Sequence, residues 1–466
     1  DGLTEILQGR KKAFIVTDRF MHESGKVSYI TDICARMGVE VTIFSEIKPD
    51  PDIATVTKGI SMMVDIKPDV LFALGGGSSI DAAKAMNYLA SREGMLEKAY
   101  FVAIPTTSGT GSEVTTFAVI SDPDKKAKYP LISENMLPDA AVLDAELTKT
   151  VPASITADTG IDVLTHAYEA YVSSKANDFT DAAAEKSMKL VFEYLPEAYK
   201  AAGKNIEELT KEDLYARQKM HHASCLAGMA FSNAGLGINH SMAHTLGGHF
   251  HIPHGRANAV LLPYVMAYNC GCRTSLTPAA ERYAKMSTVL SLDSGSSRQS
   301  AFGAIRATKQ LIRKLNIPSC IKNLFAVWAR TELIARVSLK GVEYGITEDN
   351  IEDANADSVG GKVLTANEKK QRQALIAEIN DKGYKQVMEE VAYTWFNRFS
   401  ALRFMEVNGY LPSHVRVFTD EENNFKPQII AEAIHLDLDG LNMEKVYELK
   451  DAEKTEELYK YLLIVQ

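Results

Sequence analysis

The feature that most limits how this chain can fold is one junction. The apolar run Val70-Leu-Phe-Ala-Leu74 passes straight into Gly75-Gly-Gly-Ser-Ser-Ile-Asp81, and a helical pattern follows from Ser79 to Leu89. An apolar run without alternation marks a strand buried on both faces, as a parallel sheet requires. Glycines between strand and helix let the backbone approach a pyrophosphate, whose charge the helix N-terminus favours. The same residues could be a purely structural turn, and they do not spell the G-x-G-x-x-G fingerprint. The neighbouring sequence repeats the pattern. Ala13–Thr17, Val39–Phe44 and Tyr100–Ile104 read as further strands, and Val27–Met37 and Ile53–Val64 as helices between them. Residues 10–150 thus read as β-α-β-α-β, an open parallel sheet with helices on both faces.

Two more features sit at strand ends. Pro105-Thr-Thr-Ser-Gly-Thr-Gly-Ser-Glu113 follows the strand at 100–104. Its hydroxyls and N–H groups could hold phosphate or ribose, or simply form a Ser/Thr turn. Asp18 follows the first strand, where an acid can accept from a ribose 2′-OH and repel a 2′-phosphate, favouring NAD over NADP.

From about residue 151 the pattern changes to long helices, at 161–173, 179–194, 211–229 and 240–250, with two more across 281–315. Asp162 and His166, four apart, project from one helix face. His240 and His244 share that spacing, and Pro253-His254-Gly255 follows. Two imidazoles from the second segment would close a site of one carboxylate and three histidines. That donor set suits Fe, Zn, Co or Ni better than Mg or Ca. A lone buried histidine is commonly a satisfied core residue, but His240, His244, His249, His251 and His254 cluster here beside the Asp162/His166 pair. His221-His222, His414 and His435 lack such a partner and read as structural.

Length and composition bound the rest. The 466 residues allow two or three domains at about 150 residues each. A net charge of -9 argues against a nucleic-acid surface for residues 1–322 and leaves the tail undetermined. No apolar run approaches the roughly 20 residues that span a bilayer. The opening Asp1-Gly-Leu-Thr-Glu is not a signal peptide, and without an initiator Met it reads as a fragment or a processed chain. Five irregularly spaced cysteines, Cys34, Cys225, Cys270, Cys272 and Cys320, favour reduced thiols and a cytoplasmic setting. Cys270-Gly-Cys272 alone does not make a metal site.

The composition shifts near 320–325. Every cysteine lies at or before 320, and both tryptophans, Trp328 and Trp395, lie after it. Residues 348–372 are polar and loosely patterned, as expected of a linker. Residues 393–405 are aromatic and helical in pattern. Three domains are expected: 1–150, 151–322 and 323–466.

Taken together, Gly-Gly-Gly-Ser-x-x-Asp, Pro-Thr-Thr-x-Gly-Thr-x-x-Glu, Gly-x-Asp-x-Leu-Thr-His-Ala and His-x-Met-Ala-His with Pro-His-Gly resemble, in order, an iron-containing (group III) alcohol dehydrogenase over residues 1–322. Lys128-Tyr-Pro-Leu and His251-Ile-Pro-His-Gly are similar to the alcohol dehydrogenase half of bifunctional aldehyde-alcohol dehydrogenases. The resemblance implies an α/β Rossmann-like dinucleotide-binding domain, then an all-helical metal-binding domain in a dehydroquinate synthase-like architecture, then a mostly helical tail. It implies that Asp162, His166, His240 and His254 bind ferrous iron, and that His244 lies near the nicotinamide and assists proton movement. Asp18, Asp50, Gly76, Gly77, Ser78, Asp81, Thr106, Thr107 and Lys128 fall at NAD-contacting positions. The implied reaction interconverts short-chain primary alcohols and aldehydes, with a polyol such as glycerol or propanediol as the alternative substrate and a homo-oligomer as the expected state. Such an enzyme is cytoplasmic or housed in a bacterial microcompartment.

The sequence likeness stops near Leu315–Ile321, before the family's last helices. Asn323–Leu333 and Tyr393–His414 instead resemble the N-terminal part of the adenine-specific DNA methyltransferases of BREX phage-defence systems, without an Asn-Pro-Pro-Tyr motif. An inactive dehydrogenase fragment fused to a DNA-associated module is therefore a further reading.

Overall fold

The computed structural model describes residues 2–122, 127–250, 252–271, 275–292, 296–318, 321–407, 409–420, 426–436 and 438–465. Contacts divide the chain into two compact units, Asp1–Leu324 and Phe325–Gln466.

The first unit begins with the expected sheet. Strands β1 (Lys12–Asp18), β2 (Glu40–Ile47), β3 (Val70–Gly75), β4 (Tyr100–Pro105) and β7 (Ala140–Ala141) lie in the order β2-β1-β3-β4-β7, and each neighbouring pair is parallel. Every residue of β3 is buried, so its unbroken apolar run serves a core on each face. Helix α1 (Gly2–Leu7) precedes β1, and α2 (Arg19–Glu23), α3 (Ser28–Met37), α4 (Ile53–Ile66) and α5 (Gly77–Arg92) connect the early strands. Phe14, Leu71 and Met86 belong to one core, and Ile15, Phe72 and Ile30 to the other. Strands β5 (Phe117–Asp122) and β6 (Ala127–Ile132) form a separate antiparallel pair.

The rest of the unit is helical: α6 (Ala153–Tyr171), α7 (Asp178–Ala201), α8 (Lys211–Ala234), α9 (Ile238–Phe250), α10 (His254–Asn269), α11 (Pro278–Val289) and α12 (Ser297–Lys314). Helix α6 starts eight residues before the hydrophobic period does: Pro152 caps it in an extended conformation, and Ile155 in its first turn is exposed and so breaks the apolar period. All its residues from Gly160 to Tyr171 are buried, as befits the central helix of a bundle.

The second unit comprises α13 (Ile321–Glu343) from Phe325 onward, β8 (Ser358–Val359), β9 (Lys362–Val363), α14 (Ala366–Lys382), α15 (Tyr384–Val407) and the short α16 (Gln428–Ala431), α17 (Met443–Asp451) and α18 (Thr455–Val465). The polar stretch expected to be a linker is in fact a small hairpin leading into α14. Two polar devices make it so. Thr365 and Glu368 form a reciprocal capping box at the start of α14. The buried Arg372 donates to the carbonyls of Tyr344, Glu352 and Asp353. Hydropathy patterning cannot see order of this kind. Among the described residues, no helix is long and apolar enough to cross a membrane.

Candidate metal and dinucleotide site

Helix α6 carries Asp162, His166 and Glu169 along one buried face, a spacing of four and three residues that stacks side chains. Helix α9 brings His240 against them. One donor atom from each of Asp162, His166 and His240 lies within 4.8 Å of the other two. The His240 Nε2–Asp162 Oδ1 separation is 3.6 Å, and His254 Nε2, at the start of α10, is 3.7 Å from the same oxygen. Donors about 2.1 Å from a tetrahedral ion stand roughly 3.4 Å apart, so the spacing fits a first-row divalent metal.

The hydrogen bonds fit the same group. His166 Nδ1 and His240 Nε2 are buried without a hydrogen-bond partner, an arrangement that costs free energy unless something occupies it. His240 Nδ1 donates to Glu169 Oε2 at 2.5 Å, which fixes the ring and turns Nε2 toward Asp162, the usual support for a metal-binding histidine. Glu169 Oε1 accepts from the Asn239 backbone N–H, Asn239 donates to Asn258 Oδ1, and Asn258 Nδ2 donates to Asp162 Oδ1. The ligand carboxylate and its supporting carboxylate are thus held in one polar network.

Burial pushes the His166 imidazole down to about 3, although Asp162 opposes it; the neutral ring keeps a lone pair for a metal. For His240 burial acts downward, but the neighbouring carboxylates of Asp162 and Glu169 prevail and raise it to about 9. A proton and a metal ion compete for that nitrogen.

His254 sits less deeply, its side chain 38% exposed, and Asn258 Nδ2 lies 3.1 Å from its Nε2. It is close enough to join the cluster and is its most accessible member. The exposed His244 packs its ring 4.8 Å from that of His254 and 6.4 Å from that of His240. It borders the cluster on the open side of α9 without entering it.

The dinucleotide candidates gather around the β3–α5 junction. Gly75 has φ +157, and a Cβ there would lie 2.4 Å from Ser79 Oγ. Gly76 caps α5, and Gly76, Gly77 and Ser78 are half-buried at its N-terminus. Asp18 caps α2 by accepting from the Met21 N–H and stands beside Gly75. Thr106 is tied to the same turn through its N–H to the Gly75 carbonyl. Thr107 faces Gly76, since a Cβ there would meet Thr107 Oγ1 at 3.4 Å. Asp50 is exposed, with φ +57, in a loop bridged to β5 through Asp52 and Ser121. The Lys128 backbone is in β6; its side chain lies outside the described residues, as does His251. Asp81 turns inward: its carboxylate accepts from Ser112 Oγ and the Val119 N–H, so it steadies the loop after β4 instead of presenting a free edge.

Glu169, Asn239 and Asn258 went unnoticed in the sequence. Glu169 had a signal, since it extends the Asp162/His166 face by one more turn. The two asparagines had only their positions, one before His240 and one four after His254.

The family's iron-containing alcohol dehydrogenase model matches residues 2–145, and the model of the Fe-containing alcohol dehydrogenase family's C-terminal part matches residues 156–379. The likeness therefore continues past residue 322, where short motifs give out. A 1-propanol dehydrogenase from Citrobacter freundii is 48% identical over 312 residues, covering 66% of this chain and 80% of that protein. An NADPH-dependent butanol dehydrogenase from Clostridium saccharobutylicum is 42% identical over 330 residues, covering 68% and 81%. The crystal structure of a 1,3-propanediol oxidoreductase superposes with a TM-score of 0.64 at 32% identity, over 81% of this chain and 96% of the other. This chain belongs to the iron-containing alcohol dehydrogenase family. It is an oxidoreductase acting on alcohols, of an iron-containing family, and Asp162, His166 and His240 form a triad able to hold the metal.

Proposed function

We propose that this chain interconverts short primary alcohols and their aldehydes with NAD, using iron held by Asp162, His166, His240 and His254. The observation that carries this reading is the convergence of three buried donor atoms, two on otherwise unpartnered histidine nitrogens, in a chain with a complete strand-glycine-helix turn. Bound iron would supply Lewis acidity, lowering the pKa of the alcohol hydroxyl. The overall change is balanced: the carbinol C–H bond breaks, its hydride goes to the nicotinamide, and the hydroxyl proton leaves to solvent. The residues perform the rest. Glu169 orients His240. Gly76, Gly77, Ser78, Thr106 and Thr107 cradle the dinucleotide, with the α5 N-terminus toward its phosphates. His244, exposed beside His254, receives and passes on the proton. Asp18 next to Gly75 supports NAD over NADP by repelling a 2′-phosphate. The buried thiols Cys34, Cys225 and Cys270, none of them in a disulfide, accord with a reducing, cytoplasmic compartment.

The test is NADH formation by the full chain, reconstituted anaerobically with ferrous iron, from ethanol or 1-propanol. Iron-dependent turnover that His254→Ala abolishes is expected. Faster turnover of 1,2-propanediol or glycerol would reassign the substrate to polyols, and preference for NADP would overturn the role of Asp18. For the segment beyond residue 379, the likeness of Tyr393–His414 to BREX methyltransferases supports a DNA-associated role on those residues alone. Duplex binding that weakens steeply with salt is its signature.

A further inference from the structure

Beneath the dinucleotide turn lies a charged residue that the reaction itself does not use. Lys84, on α5, is fully buried. Its ammonium donates to Ser112 Oγ at 3.1 Å, Thr115 Oγ1 at 2.8 Å and the Phe117 carbonyl at 2.9 Å. All three acceptors belong to the segment that leaves β4 and enters β5. Asp81, one turn earlier on α5, grips that segment at Ser112 Oγ and the Val119 N–H. Asp81 and the buried Glu113 supply the opposite charge.

The segment so gripped touches both halves of the site. On one side a Cβ on Gly77 would lie 2.7 Å from Thr110 Cγ2, so the segment rests on the phosphate-facing turn. On the other a Cβ on Gly109 would lie 2.7 Å from Thr159 Cβ on α6, the helix that carries His166. Phe117 packs its ring 5.8 Å from Phe231, which stacks at 4.3 Å on His166. From the Lys84 ammonium, one contiguous path therefore runs through Phe117 and Phe231 to the His166 ring, a second through Gly109 to α6, and a shorter one to the glycine turn.

We propose that Lys84 is a positioning residue that sets the placement of the dinucleotide relative to the metal ligands by clamping residues 106–117 between them. It reaches neither group. A buried ammonium with three acceptors has no low-energy way to shift, because leaving any acceptor exposes an unsatisfied charge in a medium that solvates it poorly. Hydride transfer is sensitive to donor-acceptor distance, and a displacement of about 1 Å can cost on the order of 100-fold. The inference rests on the iron- and NAD-dependent reading above.

The test compares Lys84→Met and Thr115→Val with the unaltered full chain, each iron-loaded. Three quantities are measured: NAD affinity by calorimetric titration, bound iron, and the primary deuterium isotope effect on kcat with 1-propanol deuterated at the carbinol carbon. Lys84→Met is expected to weaken NAD binding about tenfold and lower kcat/KM by on the order of 100-fold, with iron content unchanged and a larger isotope effect because hydride transfer has become slower. Thr115→Val, which removes one acceptor, is expected to move the same readouts less, and it decides the matter if Lys84→Met does not fold. Wild-type NAD affinity and isotope effect in a folded variant that has merely lost thermal stability would overturn the proposal. A silent unaltered enzyme would instead overturn the functional reading.

Discussion

At the scale of single residues, the site is defined as much by its supports as by its donors. Glu169 is buried and holds both His240 Nδ1 and the Asn239 N–H. Glu169→Gln keeps the shape but weakens the acceptor, and iron affinity should fall about 10- to 100-fold. Iron retained after dialysis against a graded chelator measures this; unchanged retention would mean that Asp162 and His166 alone fix the ion. Asp162 and His166 are legible as neighbours because both lie on one helix, where spacing alone decides the face. That His240 joins them depends on how α9 packs on α6, and no local pattern encodes that. Asn239 and Asn258 illustrate the limit. An asparagine in sequence looks like a surface or turn residue, and only the fold shows that these two are buried and bonded to each other.

At the scale of elements, the sheet is readable because a strand buried on both faces is a run of apolar residues, a purely local signal. The observed β3 differs from the expected Val70–Leu74 only by adding Gly75. The β3–α5 turn is readable for the same reason, although its partners are not. Nothing in Thr107 or Thr110 announces that they roof Gly76 and Gly77. That roof makes the turn intolerant of side chains. Gly77→Ala would drive its Cβ against Thr110, costing about 1–3 kcal/mol and weakening NAD binding, as urea unfolding and nucleotide titration would show together. A loss of stability with full NAD affinity would separate the turn's packing from its binding role. Helix α14 shows the opposite failure, since its capping box lies in a stretch too polar to suggest a helix. Thr365→Ala should destabilise it by about 0.5–2 kcal/mol, detectable as a lower urea midpoint, and no change would mean that Arg372 alone orders the segment.

At the scale of the whole molecule, each compact unit has its own apolar clusters: Ile161, Leu164, Val191 and Leu261 anchor the helical core of the first, and Val337, Ile376, Val417 and Leu462 stand in those of the second. Scanning calorimetry is therefore expected to resolve two transitions. Ferrous iron at about 100 times its dissociation constant should stabilise the first unit by about 2.7 kcal/mol and leave the other transition in place. Equal shifts in both would show that the units melt together. Reading the family's extent from short motifs stops at the last clustered signature. The family match runs on to residue 379, beyond the last motif that short spacing makes legible.

One contact in the first unit bears on how such an enzyme could change its taste for substrates. Gly111, at φ +62, lies against α8 so closely that a Cβ there would stand 2.7 Å from Gly228 Cα, and a Cβ on Gly228 would stand 2.9 Å from the Gly111 carbonyl. Main chain rests on main chain, and a methyl of Val114, 2.6 Å from where that Gly228 Cβ would stand, closes the edge of the joint. The gap is a fixed gauge, set by peptide thickness. Room for a bulkier alcohol has to be made elsewhere in the chain, since two backbones already in contact cannot be trimmed apart.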